Sequence, residues 1–344
     1  MKKMSRTRLG VMAFVTAAAL GLTACGGDAS GDGAGDAEAT TAESAAAEGG
    51  EAASDVTDMS GNTVELPADP QSIVATDNRI FGTLADWGVE LTAAPVDLMP
   101  ENDQLAAYHE NSDIVNLGNH REPDMEGVVA VEPDLILNGQ RFTQYAEDLQ
   151  ELAPDAAFVD TNIDIEANPL DEQLRELTTL LGEVFGQQDS AEQLIADFDE
   201  SIERAQAAYN EEWTVAGLIT SGGDINYSAP STGRAVGPVF DVLDLTPALE
   251  QDGSTNHQGD DISVEAIADA NPEWLIVLDR DAGTGDAQAN SAEELLEESE
   301  ALQNVPAIQE GNIVYLNPDF YTAEDIQHYT ELFNDLADAF ETAS

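Results

Sequence analysis

Across 344 residues, 69 aspartates and glutamates face only 11 lysines and arginines, for a formal net charge of −58. Repulsion on that scale excludes nucleic acid and anionic membrane surfaces as partners. So acidic and lysine-poor a surface fits adaptation to high salt, where screening makes the self-repulsion tolerable, and it makes each arginine informative.

Lys2, Lys3, Arg6 and Arg8 open the chain and an apolar run from Leu9 to Leu22 follows, too short to span a bilayer. A basic stretch before a short apolar one is the pattern of a secretory signal, here residues 1–24. Leu22-Thr23-Ala24-Cys25 has the form of a bacterial lipobox, which predicts that Cys25, the only cysteine, carries lipid and anchors an extracytoplasmic protein to the cell membrane. Residues 25–54 are almost entirely Gly, Ala, Ser, Thr, Asp and Glu, a composition that buries no core and predicts a disordered acidic leash. Seven basic residues remain beyond the signal, and all are arginine.

From residue 56 two patterns recur. Met125–Leu137 and Val264–Val277 each give a short helix, a turn with proline and a buried aliphatic strand. A glutamate precedes the proline by seven in both (Glu126, Glu265), and an arginine follows it by eight (Arg141, Arg280). Arg79-Ile80-Phe81-Gly82 and Arg234-Ala235-Val236-Gly237 also match, each after a strand (72–76, 214–220) and before a helix. Two related α/β lobes with Rossmann-like parallel sheets follow, one over 56–168 and one over 212–344. Residues 169–211 carry apolar positions at helical spacing, Leu170, Leu174, Leu177 and Leu181, then Leu194, Ile195, Phe198 and Ile202, which predicts a long helical connector. Ser190 with Gln193 predicts a capping box within it, and Arg175 and Arg204 predict helix-face ion pairs.

Ligands of open α/β sheets bind beyond the carboxyl ends of the strands. Arg79, Arg141, Arg234 and Arg280 all fall there, so facing lobes would line one cleft with four of the seven arginines. Their planar, permanently charged forks suit an oxygen-rich, multiply charged anion. Tyr108, Tyr145, Tyr227, Tyr315, Tyr321 and Tyr329 offer aromatic or phenolate contacts. The histidines His109, His120, His257 and His328 lack metal-ligand spacing, and no Gly-x-Ser-x-Gly, cysteine nucleophile or phosphate-binding glycine loop marks an enzyme.

Gly118-Asn119-His120-Arg121-Glu122-Pro123, Asn138-Gly139-Gln140-Arg141, Gly233-Arg234, Leu278-Asp279-Arg280-Asp281 and Asn317-Pro318-Asp319-Phe320-Tyr321, with the lipobox and leash, resemble the ferric-siderophore branch of the class III substrate-binding lipoproteins of ABC importers. The resemblance runs from about residue 56 onward. It implies a monomeric binding protein without a cofactor of its own, which delivers an Fe(III) chelate to an ABC permease and its ATPase subunits. Three arginines under a catecholate chelate correspond best to Arg141, Arg234 and Arg280, with Arg79 and Arg121 as further cleft contacts. His257 and Tyr321 match positions that complete the iron shell when the siderophore leaves sites open, and Glu126 and Glu265 match the glutamates that dock on the permease. Haem and hydroxamate or citrate chelates stand as other ligands, a corrinoid carries too little charge, and a surface enzyme or a purely structural lipoprotein lacks a residue pattern of its own.

Overall fold

The computed structural model describes residues 54–285 and 289–343. The expected signal peptide, Cys25 and all of the leash before Ser54 lie outside the described residues. A short antiparallel hairpin, β1 (Asp55–Thr57) and β2 (Thr63–Glu65), leads into the first sheet. The sheet strands are β3 (Ile73–Ala75), β4 (Ala93–Ala94) and β5 (Val115–Asn116). A small hairpin, β6 (Gly118–Asn119) and β7 (Glu122–Pro123), precedes β8 (Leu135–Asn138) and β9 (Ala157–Asp160). The order β5-β4-β3-β8-β9 is parallel throughout.

The second sheet contains β10 (Val215–Ser221), β11 (Asp224–Ser228), β12 (Trp274–Asp279) and β13 (Ile313–Tyr315), in the order β11-β10-β12-β13. Its strands are parallel except β11, which pairs antiparallel with β10 as an edge strand that the sequence reading did not anticipate. The cause is local. Gly222 and Gly223 both take positive φ, 65° and 88°, and close a two-residue hairpin between Ser221 and Asp224. Leu135–Leu137, Val215–Ile219 and Trp274–Leu278 are buried along their length, because helices cover both faces of these sheets. The two recurring patterns occupy equivalent places: β3 pairs with β8, and β10 pairs with β12, each in parallel.

Helices Leu170–Phe185 and Gln188–Ala208 form the connector and join at Gly186. Leu170, Leu174, Leu177, Leu181 and Val184 are buried at helical spacing, each contributing about 2 kcal/mol by leaving water. The C-terminal helix, Ile326–Ala343, packs on the second connector helix, with the Phe198 and Phe333 rings 5.8 Å apart. Arg204 reaches across to Asp338 and Glu341 of that helix, and Arg175 pairs with Asp171 and Asp199 at 2.6 and 2.7 Å. The capping box does not form. The helix begins at Gln188, so Ser190 lies inside its first turn and donates to the Gln187 side chain at 3.1 Å, while Gln193 bonds Asp197.

Candidate ligand-binding site

Two strand-to-helix loops and two strand ends carry the arginines. After β3, Asp77 accepts from the Arg79 backbone N–H and the Thr161 hydroxyl, both at 2.9 Å. Burial pushes the Asp77 carboxyl up, and the Arg79 charge opposes that shift. After β8 the chain passes Asp77 so closely that a Cβ at Gly139 would lie 2.0 Å from its Oδ2. Only glycine permits this approach, which sets Arg79 and Arg141 beside each other. Gln140, Ala235 and Glu324, each adjoining the cluster, hold positive φ of 44°, 65° and 50°. Non-glycine residues in that region store about 1–2 kcal/mol each, and such strain concentrates where function needs a fixed geometry.

Tyr321, on the short helix Phe320–Ala323, is the centre on which the arginines meet. The guanidinium carbons of Arg234, Arg280 and Arg141 lie 5.0, 5.2 and 5.5 Å from its ring centroid. Its carbonyl oxygen accepts from Arg141 Nη2 at 3.0 Å and Arg234 Nη2 at 3.4 Å. Its hydroxyl accepts from Arg280 Nε at 3.1 Å. Arg280 also donates to the Ser221 hydroxyl and stands 3.5 Å from Asp281.

A second carboxylate, from outside the arginine loops, enters the cluster directly. Glu324 is 3% exposed. Its Oε1 accepts from Arg234 Nε at 2.6 Å, and its Oε2 accepts from Arg79 Nη2 and Gln140 Nε2, each at 3.0 Å. Burial pushes the Glu324 carboxyl up, but the Arg234 and Arg79 charges and the Arg234 hydrogen bond outweigh it and hold the group at about 2. Arg141 makes no ion pair among the described residues: burial and the neighbouring Arg234 charge push its guanidinium down, against the pull of the nearby Glu324 charge. The Nε atoms of Arg79 and Arg141 are buried without a hydrogen bond among the described residues. Such unsatisfied cationic donors are costly and point to a negatively charged ligand.

A cavity of about 300 Å³ opens on Arg79, Arg141, Arg234 and Glu324, with Ile163, Leu170 and Tyr329 as apolar wall. Ile165, Leu170 and Thr255 carry it into a hollow of about 590 Å³ between residues 165–171 and 231–242. The structure thus brings together Arg79, Arg141, Arg234, Arg280 and Tyr321. Arg121 and His257 stand apart: both are exposed, Arg121 on the β6–β7 turn and His257 in the loop between the helices Gly237–Leu243 and Val264–Ala270. Burial and the charges of Arg280, Arg234 and Arg141 push His257 down, so it still lies within the field of the cluster. His120, beside Arg121, feels Arg141 and Arg234 in the same way, and its Nδ1 is buried without a hydrogen bond among the described residues. The reading of the sequence passed over His120, Gln140 and Glu324.

Of the other tyrosines, Tyr329 lines the cavity and donates to the Ala235 carbonyl, and Tyr145 holds the His120 carbonyl. Tyr108 and Tyr227 are buried with their hydroxyls on the Val89 and Leu249 carbonyls, and Tyr315, at the end of β13, packs half-buried against the core on one face of the second sheet. Trp213 and Trp274 stack at 5.5 Å with Phe340, at the start of β12. That strand end is opposite the one leading to Arg280, so these rings do not line the cleft. Glu126 and Glu265 are exposed and occupy the second position of their helices, Met125–Ala130 and Val264–Ala270. Asp124 and Ser263 cap those helices by accepting from the third residue's N–H in each case.

Residues 73–320 match the periplasmic binding protein family. The chain belongs to that family. It is 25% identical over 285 residues to the petrobactin-binding protein YclQ of Bacillus subtilis, covering 81% of this chain and 86% of the relative. It is 27% identical over 275 residues to the ferric-anguibactin-binding protein FatB of Vibrio anguillarum, covering 79% and 83%. Among solved structures, a TroA-like periplasmic binding protein of Xylanimonas cellulosilytica superposes with a TM-score of 0.69 at 29% identity, over 86% of this chain and 98% of that one. Two α/β lobes joined by a helical connector are therefore the architecture of this protein.

Proposed function

We propose that this protein captures an Fe(III)-siderophore between its lobes and delivers it to an ABC permease, without acting chemically on it. The observation that carries this reading is the meeting of Arg141, Arg234 and Arg280 around Tyr321, with Arg79 joined to them through Glu324, which bonds both Arg79 and Arg234. Four guanidinium groups from two lobes suit a compact, multiply charged anion such as a trianionic ferric tris-catecholate. The names of the relatives, petrobactin-binding and ferric-anguibactin-binding, support the same ligand class.

In this reading residues 56–168 and 212–344 are the two lobes, residues 169–211 are the stiff connector, and closure is small because helices resist bending. Arg141, Arg234 and Arg280 bear the chelate, Arg79 flanks it, and Arg121 contacts it at the rim. Tyr321 and His257 complete the iron shell where the siderophore leaves sites open. Glu126 and Glu265 dock on the permease, and lipid on Cys25 anchors the monomer outside the cell membrane.

The test is calorimetric titration of the protein from residue 54 onward with a ferric catecholate, a ferric hydroxamate and haemin. Tight binding of the catecholate, abolished in Arg141→Ala/Arg280→Ala, is expected. Response to haemin alone would replace the ligand class, and response to none would overturn the reading.

A further inference from the structure

A buried carboxylate in the middle of an anion-binding cluster works against the ligand, so its presence needs a reason. Glu324 is not a surface acid that happens to lie near arginines. It is 3% exposed, sits in a strained left-handed conformation, and spends both oxygens on three donors. Arg79 and Gln140 come from the first lobe, whereas Arg234 and Glu324 come from the second. Its neighbour three residues back, Tyr321, contributes the carbonyl that takes Arg141. The carboxylate stays ionised at any ordinary pH, since its arginine partners hold it at about 2.

We propose that Glu324 is a specificity-determining residue that grades the cleft's affinity by the charge of the ligand. This rests on the siderophore reading above. Four guanidinium groups without an internal anion would hold the most highly charged chelates hardest, along with small multivalent anions such as citrate. A fixed negative charge inside the cluster repels each ligand in proportion to the ligand's own charge. Glu324 therefore lowers the affinity of highly charged complexes more than that of weakly charged ones, and it keeps the arginines extended and bridged between the lobes. A residue that only positioned the arginines would instead raise the affinity of every anion through its presence.

The two roles separate in Glu324→Gln, which removes the charge, keeps the side chain's shape and retains one acceptor oxygen for the donors around it. Binding of a trianionic ferric tris-catecholate and a monoanionic ferric bis-catecholate is measured by calorimetry in wild type and variant. The expected result is a gain of about tenfold for the trianion against only about twofold for the monoanion, since the effect scales with charge. Equal changes for both chelates, or a loss for both, would overturn the proposal and leave Glu324 as a structural residue. If Glu324→Gln alone does not fold, the same difference is read between Arg79→Gln and Arg79→Gln/Glu324→Gln, where one of the two arginines that Glu324 balances is removed with it. Failure of the wild-type protein to bind either chelate would instead sink the siderophore reading, and this proposal with it.

Discussion

Arg234 touches Tyr321 twice, with its guanidinium carbon 5.0 Å from the ring centroid and its Nη2 3.4 Å from the carbonyl oxygen. The same arginine gives its Nε to Glu324. Arg141, from the other lobe, repeats the two contacts with Tyr321 but bonds no acid among the described residues. This difference between two superficially similar arginines sets opposite expectations for their removal.

Arg141→Met should raise the melting temperature of the unliganded protein or leave it unchanged, because it removes a buried cation with an unsatisfied Nε. Arg234→Met should lower stability by about 3–5 kcal/mol, because it strands Glu324 with less than its full complement of donors. Both should weaken capture of a ferric catecholate by tenfold or more, each guanidinium hydrogen bond to an anion being worth about 1.5–3 kcal/mol. Thermal denaturation beside calorimetry separates the effects, and equal destabilisation by both substitutions would contradict the arrangement.

Stability should fall at both ends of the pH scale for identifiable reasons. Glu324 is held at about 2 against an ordinary value of 4.5, so its contribution is complete above 4.5 and lost as pH falls towards 2. Glu324→Gln should therefore flatten the acid limb of the melting curve. His328 is raised above 6.5: burial pushes it down, but Asp325, 2.6 Å from its Nδ1, outweighs that. Its contribution is complete below 6.5 and disappears as pH rises through the folded value. An alkaline limb unchanged in His328→Gln would show that another group governs it.

Association should respond to salt in an unusual order. An anionic chelate approaches a body carrying 69 acids, so long-range repulsion opposes encounter at low salt. Stopped-flow rates are expected to rise as salt is added, and then to fall once the arginines themselves are screened. A rate that only declines from the lowest salt upward would be inconsistent with this balance.

Import and capture should come apart at Glu126 and Glu265. Both are exposed on helix first turns, outside the arginine cluster. Glu126→Ala/Glu265→Ala should leave chelate affinity within about twofold, surface substitutions usually costing under 0.5 kcal/mol, while abolishing uptake of radiolabelled iron by cells. Retained uptake would remove these residues from the docking surface.

Much of this site was legible in the chain because arginine is scarce in it. Four arginines at strand ends, repeated between lobes, stood out against an acidic background, and β3–β8 and β10–β12 place them as the repeat requires. Tyr321 was legible through the family resemblance. Glu324 was not, since one glutamate among 69 acids carries no mark, and its burial depends on Arg79 and Arg234 arriving from distant parts of the chain. The antiparallel edge strand β11 had a readable signal in Gly222-Gly223, which was overlooked because alternation of strands and helices dominated the pattern. The capping box failed for a simpler reason: the helix starts two residues before Ser190, and a cap works only at the boundary.

The C-terminal helix also bears on how the chain comes to be folded. Its Tyr329, Leu332, Phe333, Leu336 and Phe340 belong to the large core shared by the first sheet, the connector and the second sheet. They follow β13, which ends at Tyr315, and so are made after the strands of both sheets. At about 5–20 residues per second, the ribosome needs a further second or more to make them. Until then the second connector helix lacks the surface against which Phe333 packs on Phe198.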